Sequence, residues 1–146
     1  MKISLTAVLI CAVLPFAAFG GEAEIGMIKV VQGKAFVTAA GARSDAKVGT
    51  VVHQNDALET GADGAIGVTF IDNTTLSLGP NSQITLTKYV FEPRDNNYSF
   101  VADMTKGSLM WVSGLMTKLS PDAVSLHTPV GTLGVRGTKF LVDISK

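Results

Sequence analysis

The chain has 146 residues, of which 47% are apolar and 16% charged, and its 12 basic residues balance its 12 acidic ones. This balance argues against a nucleic-acid partner, because no basic surplus is available to neutralise phosphates. The length suits one domain with a single hydrophobic core behind a targeting segment, and is too short for two ordinary domains.

Residues 1–23 have the features of a cleaved signal peptide. Lys2 supplies a positive charge, and the run from Ile3 to Ala18 is almost wholly apolar, the length of a secretory hydrophobic region rather than of a bilayer span. Small residues follow between Gly20 and Ala23, where we expect cleavage; the alternative is a short membrane anchor. We therefore expect residues 24–146 to form a periplasmic or secreted domain without a membrane span.

From residue 24 onwards the apolar residues recur at every second position, which is typical of β-strands. Three runs show this alternation: Ile66 to Phe70, Ile84 to Leu86 and Phe140 to Ile144. Further short β-prone stretches are Ile28 to Val31, Ala35 to Val37, Val51 to Val52, Leu76 to Leu78, Tyr98 to Ala102, Leu109 to Val112 and Val124 to Leu126. The best candidate for a helix, Met110 to Leu119, is interrupted by Gly114.

Turn-forming residues separate these stretches at close intervals. They include Gly33, Gly41, Gly49, Asn55-Asp56, Gly61, Asp63-Gly64, Asp72-Asn73, Gly79-Pro80-Asn81, Pro93 to Asn97, Lys106-Gly107 and Ser120-Pro121-Asp122. The pattern predicts a single all-β domain of about ten short strands, arranged as a sandwich, a roll or a solenoid.

The most distinctive segment reads TPVGTLGVRGTKF, from Thr128 to Phe140. Its glycines recur at every third residue and permit sharp turns or close backbone approach, while Arg136 is expected to pair with a buried carboxylate or to bind backbone carbonyls. We interpret the segment as a structural latch, with an interaction site as the alternative. The residues concerned are Thr128, Pro129, Gly131, Gly134, Arg136, Gly137, Thr138 and Phe140. A phosphate-binding loop is disfavoured, because a strand rather than a helix follows the glycines.

From about Val30 to Val142 the chain resembles the FecR domain family. The resemblance rests on the order of eight short motifs: Gly33-Lys34-Ala35, Val48-Gly49 with Val52, Asp56 to Gly61, Val68 to Thr74, Leu76 to Ser82, Lys106 to Leu109, His127 to Gly131 and Gly134 to Phe140. Where the family usually has Asp-Gly after an aromatic strand, this chain has Asp72-Asn73, and asparagine tolerates the same left-handed turn.

The resemblance implies an all-β extracytoplasmic fold. In the best-known members it also implies a role in passing an iron-siderophore signal from an outer-membrane transporter to a cytoplasmic sigma factor. Those members carry a cytoplasmic anti-sigma segment and a membrane span ahead of this domain. Since this sequence shows neither, we do not expect the regulator role to transfer with the fold.

Neither catalysis nor a cofactor is expected. His53 and His127 are the only histidines, no Gly-x-Ser-x-Gly motif occurs, and Glu59-Thr60-Gly61 has no second copy to form an aspartic-protease pair. No calcium-loop motif is present, and the single cysteine, Cys11, lies within the signal peptide.

Two functions from different classes fit the sequence. The first is a non-enzymatic protein-binding module of the cell envelope that docks through an edge strand or an apolar patch. The second is a module that binds peptidoglycan or another polysaccharide, which would need exposed aromatic rings. Five aromatic residues could supply such a platform, although a core position is expected for most of them: Tyr89, Phe91, Tyr98, Phe100 and Trp111.

Overall fold

The computed structural model describes residues 22–144, so almost all of the predicted signal peptide lies outside the described residues and stays a prediction. Within that part of the chain, no helix is long and apolar enough to cross a membrane. The strands are β1 Glu24–Gln32, β2 Ala35–Ala39, β3 Ala42–Asp45, β4 Val51–His53, β5 Ala57–Thr60, β6 Ala65–Phe70, β7 Thr75–Leu78, β8 Gln83–Glu92, β9 Asn97–Val112, β10 Val124–Thr128, β11 Gly131–Gly134 and β12 Lys139–Ile144. A 3-10 turn spans Pro93–Asp95, and the helix α1 spans Leu115–Leu119. The all-β prediction is confirmed, with twelve strands rather than about ten.

The strands form one sheet that folds over into two layers. The first layer has the order β4-β1-β6-β7-β9-β12. The second has the order β3-β2-β5-β8-β9-β10-β11. Neighbours are antiparallel except β9 and β10, which are parallel. The architecture is therefore one curled sheet whose two layers share the strand β9.

Strand β9 belongs to both layers and changes partners near Gly107. Its first part pairs with β8, and the part from Gly107 onwards pairs with β7 and β12. Gly107 has a φ of +94°, and a Cβ there would meet the Ser82 Oγ at 2.1 Å. The sequence predicted that Lys106-Gly107 separates two strands. Instead the glycine bends one long strand, because only a residue without a side chain fits against Ser82 in that conformation.

The core lies between the layers and is organised by a chain of aromatic rings. Phe70 on β6 contacts Phe100 on β9 with ring centroids 4.9 Å apart, and Phe100 contacts Trp111 at the same distance. Tyr89 on β8 packs against both phenylalanines. Tyr89, Phe100 and Trp111 are buried, which confirms the expected core position for these rings. They are therefore unable to form an exposed platform for a polysaccharide.

Two elements differ from the sequence prediction. Ala42–Asp45 forms a strand although all four residues are exposed, because it is the outer half of a hairpin with β2. The two residues at its turn, Ala40 and Gly41, both have positive φ, the requirement of a tight two-residue hairpin. α1 gives a single helical turn after Gly114, within the stretch where no convincing helix was expected.

Candidate functional site

The candidate site is the open flank of the molecule, where the last strand of each layer ends the sheet. In the described residues β11 pairs only with β10, and β12 pairs only with β9. Each strand therefore leaves one edge of backbone N–H and C=O groups without a strand partner. A groove of about 630 Å³ lies between the two strands and is lined by Thr128, Val130, Gly131, Thr132, Leu133, Leu141, Val142, Asp143 and Ile144.

The groove narrows towards the segment that connects β11 to β12. A smaller hollow of about 230 Å³ continues it and shares Leu133, Leu141 and Val142 with the wider part. The connecting segment is held firmly: Val135 is buried and its N–H donates to the Val124 carbonyl at 3.0 Å. Ser113 donates its Oγ–H to the Gly137 carbonyl at 2.6 Å and its N–H to the Thr138 carbonyl at 2.8 Å. The narrow end of the flank is thus fixed to the end of β9.

Strand β12 turns one face to the core and the other to solvent. Phe140 stacks on Trp111 with ring centroids 5.9 Å apart and an interplanar angle of 22°. Val142 and Ile144 also pack against the core, whereas Leu141 points outwards and is 70% exposed. An apolar side chain on the solvent face of an edge strand is the residue type that a protein contact would bury.

Strand β11 and its hairpin turn form the opposite wall. Leu133 lies opposite the buried Leu126 of β10 and so shares its inward-facing side, yet it is 45% exposed because nothing in the described structure closes the flank over it. Val130, at the tip of the hairpin, is 90% exposed. The Thr128 Oγ–H donates to the Gly131 carbonyl at 2.9 Å and braces the turn. This wall is therefore apolar, and the hydrogen bond across its turn fixes its conformation without a bound partner.

The residues predicted as a latch all lie on or beside this flank. Thr128 and Gly131 line the wide end of the groove, and Gly134, Arg136 and Phe140 line the narrow end. Pro129 is in the hairpin turn. Gly137 and Thr138 line a neighbouring hollow beside α1. The sequence therefore located the segment, while its role as a latch stays a prediction.

Two premises of the latch interpretation are wrong. The three glycines do not cross a crowded space, since a Cβ at Gly131, Gly134 or Gly137 would meet nothing within 4 Å. Arg136 pairs with Asp122, and both side chains are 75% exposed, so the partner carboxylate is not buried. The hairpin carries the segment to the surface, and its role as a latch or as an interaction site stays a prediction.

Sequence reasoning missed a buried carboxylate that organises the region behind the flank. Asp72 is fully buried and accepts hydrogen bonds from the Tyr89 hydroxyl at 2.9 Å and the Met116 N–H at 3.1 Å. It also accepts from the Thr74 hydroxyl at 2.7 Å and the Thr74 N–H at 3.2 Å. Burial, with the neighbouring Asp72 charge, raises the pKa of Tyr89 well above its usual range, so the phenol remains a donor. The Asp72-Asn73-Thr74 motif was visible in the sequence but was interpreted only as a turn.

The two histidines do not form a nucleophile–base arrangement in the described structure. His127 Nδ1 lies 2.9 Å from the Asp103 carboxylate, and the Thr87 hydroxyl donates to that same carboxylate rather than to the imidazole. The Nδ1 atom of His53 lies 3.6 Å from the Oδ2 atom of Asp56. Among residues 22–144, no group of three metal-binding side chains comes together.

Comparison with known proteins identifies the family. The sequence profile described as FecR protein matches residues 56–146, which include the strands of the open flank. The motifs near Gly33 and Val48 lie before the matched region. No curated protein and no solved structure matches the chain. Because the profile covers more than half of the sequence and its motifs build the observed strands and turns, the chain belongs to the FecR protein family.

Proposed function

We propose that this chain is a non-enzymatic protein-interaction module of the bacterial cell envelope, periplasmic or secreted, that binds an extended polypeptide segment along its open flank. The observation that carries the proposal is that β11 and β12, on either side of an apolar groove, each have one edge with no strand partner among residues 22–144. A strand laid in such a groove gains main-chain hydrogen bonds from an edge and places alternate side chains among the apolar residues. Membership of the FecR family supports a signalling-related role in the envelope.

The chemistry of the groove defines the expected partner segment. Leu133, Val142 and Ile144 present apolar surface, and the cation Arg136, which also pairs with Asp122, lines the narrow end. We therefore expect a segment with apolar residues at every second position and an acidic residue at the end that reaches the narrow part of the groove. Polysaccharide binding has less support, because three of the five candidate platform rings, Tyr89, Phe100 and Trp111, are buried, and Phe91 and Tyr98 are only partly exposed.

Site-specific photo-crosslinking in cells can test this proposal. A crosslinking residue placed at Leu133 should capture an envelope protein, and the same residue placed at Thr38, on β2 far along the sheet, should not. The captured segment is then synthesised as a peptide and titrated against the purified protein. Leu133→Asp should abolish this binding, whereas Thr38→Asp should leave it unchanged.

Several results would overturn the proposal. Equal capture at both positions, or peptide binding that is indifferent to Leu133→Asp, would remove the groove as the site. Sedimentation of the protein with purified peptidoglycan, without a protein partner, would favour the polysaccharide alternative. The location is tested separately by cell fractionation, in which the protein should appear in the periplasm or medium without its first residues.

A further inference from the structure

The four strands at the ends of the two layers are not equally protected against pairing with other chains. β3 is short, fully exposed and charged at Arg43 and Asp45, and β4 has only three residues. β11 has a glycine at each end. β12, in contrast, is a six-residue strand with neither glycine nor proline, and its pairing with β9 runs without a register shift. Natural sheets protect their edges with short, charged or interrupted strands, and of these devices β12 has only the charges of Lys139 and Asp143, which flank the exposed Leu141.

The backbone groups at the free edge of β12 follow from its pairing with β9. The Thr138 carbonyl accepts from the Ser113 N–H, so the polar backbone groups of Thr138 point towards β9. Since the direction alternates along an antiparallel strand, Phe140, Val142 and Ile144 also turn theirs towards β9. Lys139, Leu141 and Asp143 turn their N–H and C=O groups towards the edge that pairs with no other strand in the described residues, and their side chains are the exposed ones.

We propose that this edge pairs with the same edge of a second copy of the chain, antiparallel and with the two-fold axis at Leu141. This register places Leu141 opposite Leu141 of the partner subunit and Lys139 opposite Asp143 of the partner subunit. All of these are residues with outward-facing backbone groups, so each pair exchanges two main-chain hydrogen bonds. The first layer then continues across the axis as one sheet through both copies.

The charge pattern selects both the partner and the register. Shifting the axis by one residue in either direction places a charged residue opposite Leu141, and shifting it by two places two lysines or two aspartates opposite each other. A strand with a cation and an anion equally spaced about a leucine is complementary to itself, as a two-fold interface requires. Asp143 also interacts within its own chain, and a carboxylate has acceptor sites for more than one partner.

This inference goes beyond the proposed function but concerns the same site, because both use the open flank for protein binding. A second copy paired along β12 covers Leu141 and the free edge that an extended partner segment would otherwise use. Self-pairing and partner binding therefore compete for this strand. Binding of the partner is expected to convert the dimer to the one-to-one complex.

Sedimentation equilibrium of the purified protein over a wide concentration range tests the inference through a charge exchange. The parent should reach a dimer. Lys139→Asp and Asp143→Lys should each raise the dimer dissociation constant by about tenfold, since each turns two attractive cross-strand pairs into repulsive ones. An equimolar mixture of the two variants should associate like the parent, because one copy then carries two anions and the other two cations. Lys88→Asp, on an interior strand of the second layer, makes the same charge change and should not alter association.

Each outcome decides between the two proposals. A parent that stays monomeric, or a mixture that associates no better than its components, overturns the self-pairing. If the crosslinked partner segment still binds in the groove, the proposed function stands without it. A dimer that responds to the charge exchange, in a protein for which crosslinking at Leu133 captures nothing else, establishes self-pairing and overturns the binding of a separate partner. Melting curves of both variants confirm that a loss of association is not a loss of fold.

Discussion

Replacing Asp72 by alanine should lower the free energy of unfolding by about 3–5 kcal/mol. The carboxylate accepts four hydrogen bonds inside the protein, from the Tyr89 hydroxyl, the Met116 N–H, and the hydroxyl and N–H of Thr74. Alanine leaves these donors without that acceptor, and an unsatisfied buried group costs about 1–3 kcal/mol. Local rearrangement should keep the total loss of unfolding free energy below the sum of the four separate costs, at the upper end of the range for single substitutions.

Urea unfolding monitored by tryptophan fluorescence measures this loss. Trp111 is the only tryptophan and is buried, so its emission reports on the core. Asp122→Ala is the matched control, since it removes the same side chain from a position that is 75% exposed and paired with Arg136. Asp122→Ala should lower the free energy of unfolding by less than about 1 kcal/mol. If the two variants unfold at the same urea concentration with the same slope, the Asp72 network does not stabilise the fold and the reasoning fails.

Three further predictions concern single positions. Gly137→Val should lower the free energy of unfolding by about 1–3 kcal/mol, because φ at Gly137 is +122°. Gly134→Val should lower it less, because φ at Gly134 is not positive and the space around it is equally open. Equal melting temperatures for the two variants would refute the backbone strain at Gly137. Arg136→Ala should lower stability by less than about 1 kcal/mol, since its ion pair is exposed, and a larger loss in thermal melting would restore the latch. The free energy of unfolding should fall as the pH rises above about 10, because the unfolded chain then loses the Tyr89 proton that the folded state retains. Tyr89→Phe should flatten this part of the plot of unfolding free energy against pH, and an unchanged slope would contradict the prediction.

The periodic part of the fold could be predicted because burial follows alternation directly. Ile66, Val68 and Phe70 all face the core, and the asparagine turns predicted at Asn55 and Asn73 both have the positive φ that asparagine tolerates. Such features depend on neighbouring residues alone. The layer order depends instead on pairings between distant strands, which a single sequence does not reveal.

The errors in strand assignment have specific physical causes. Gly107 looked like a break between strands, but hydrogen bonds on both sides of it continue β9 through the bend. The strand at Ala42–Asp45 has no buried residue, so its sequence carries no alternation to detect. It exists because the Ala40-Gly41 turn returns the chain onto β2, and alanine seldom adopts the positive φ that this turn requires.

The candidate site was located from its glycines, but its character was not. The residues that define it, Leu133 and Leu141, were not among the predicted site residues, because their exposure depends on strand pairing and not on neighbouring residues. Their exposure follows from both strands ending a layer. The exposure of Leu141 could nevertheless have been predicted from the sequence. It is an apolar residue between Lys139 and Asp143, on the face of the strand where alternation predicts a polar residue.

A strand shared by two layers has a consequence for how the molecule opens. Neither layer can detach as an independent unit, because each would lose its pairing with β9 at the same moment. Amide hydrogen exchange should therefore find the two halves of β9, before and after Gly107, among the slowest-exchanging backbone groups. The two halves should exchange with the same opening free energy, while amides of β3 and the Val130 hairpin exchange through small local fluctuations. Gly107 would then be a bend in the structure but not a boundary between cooperative units.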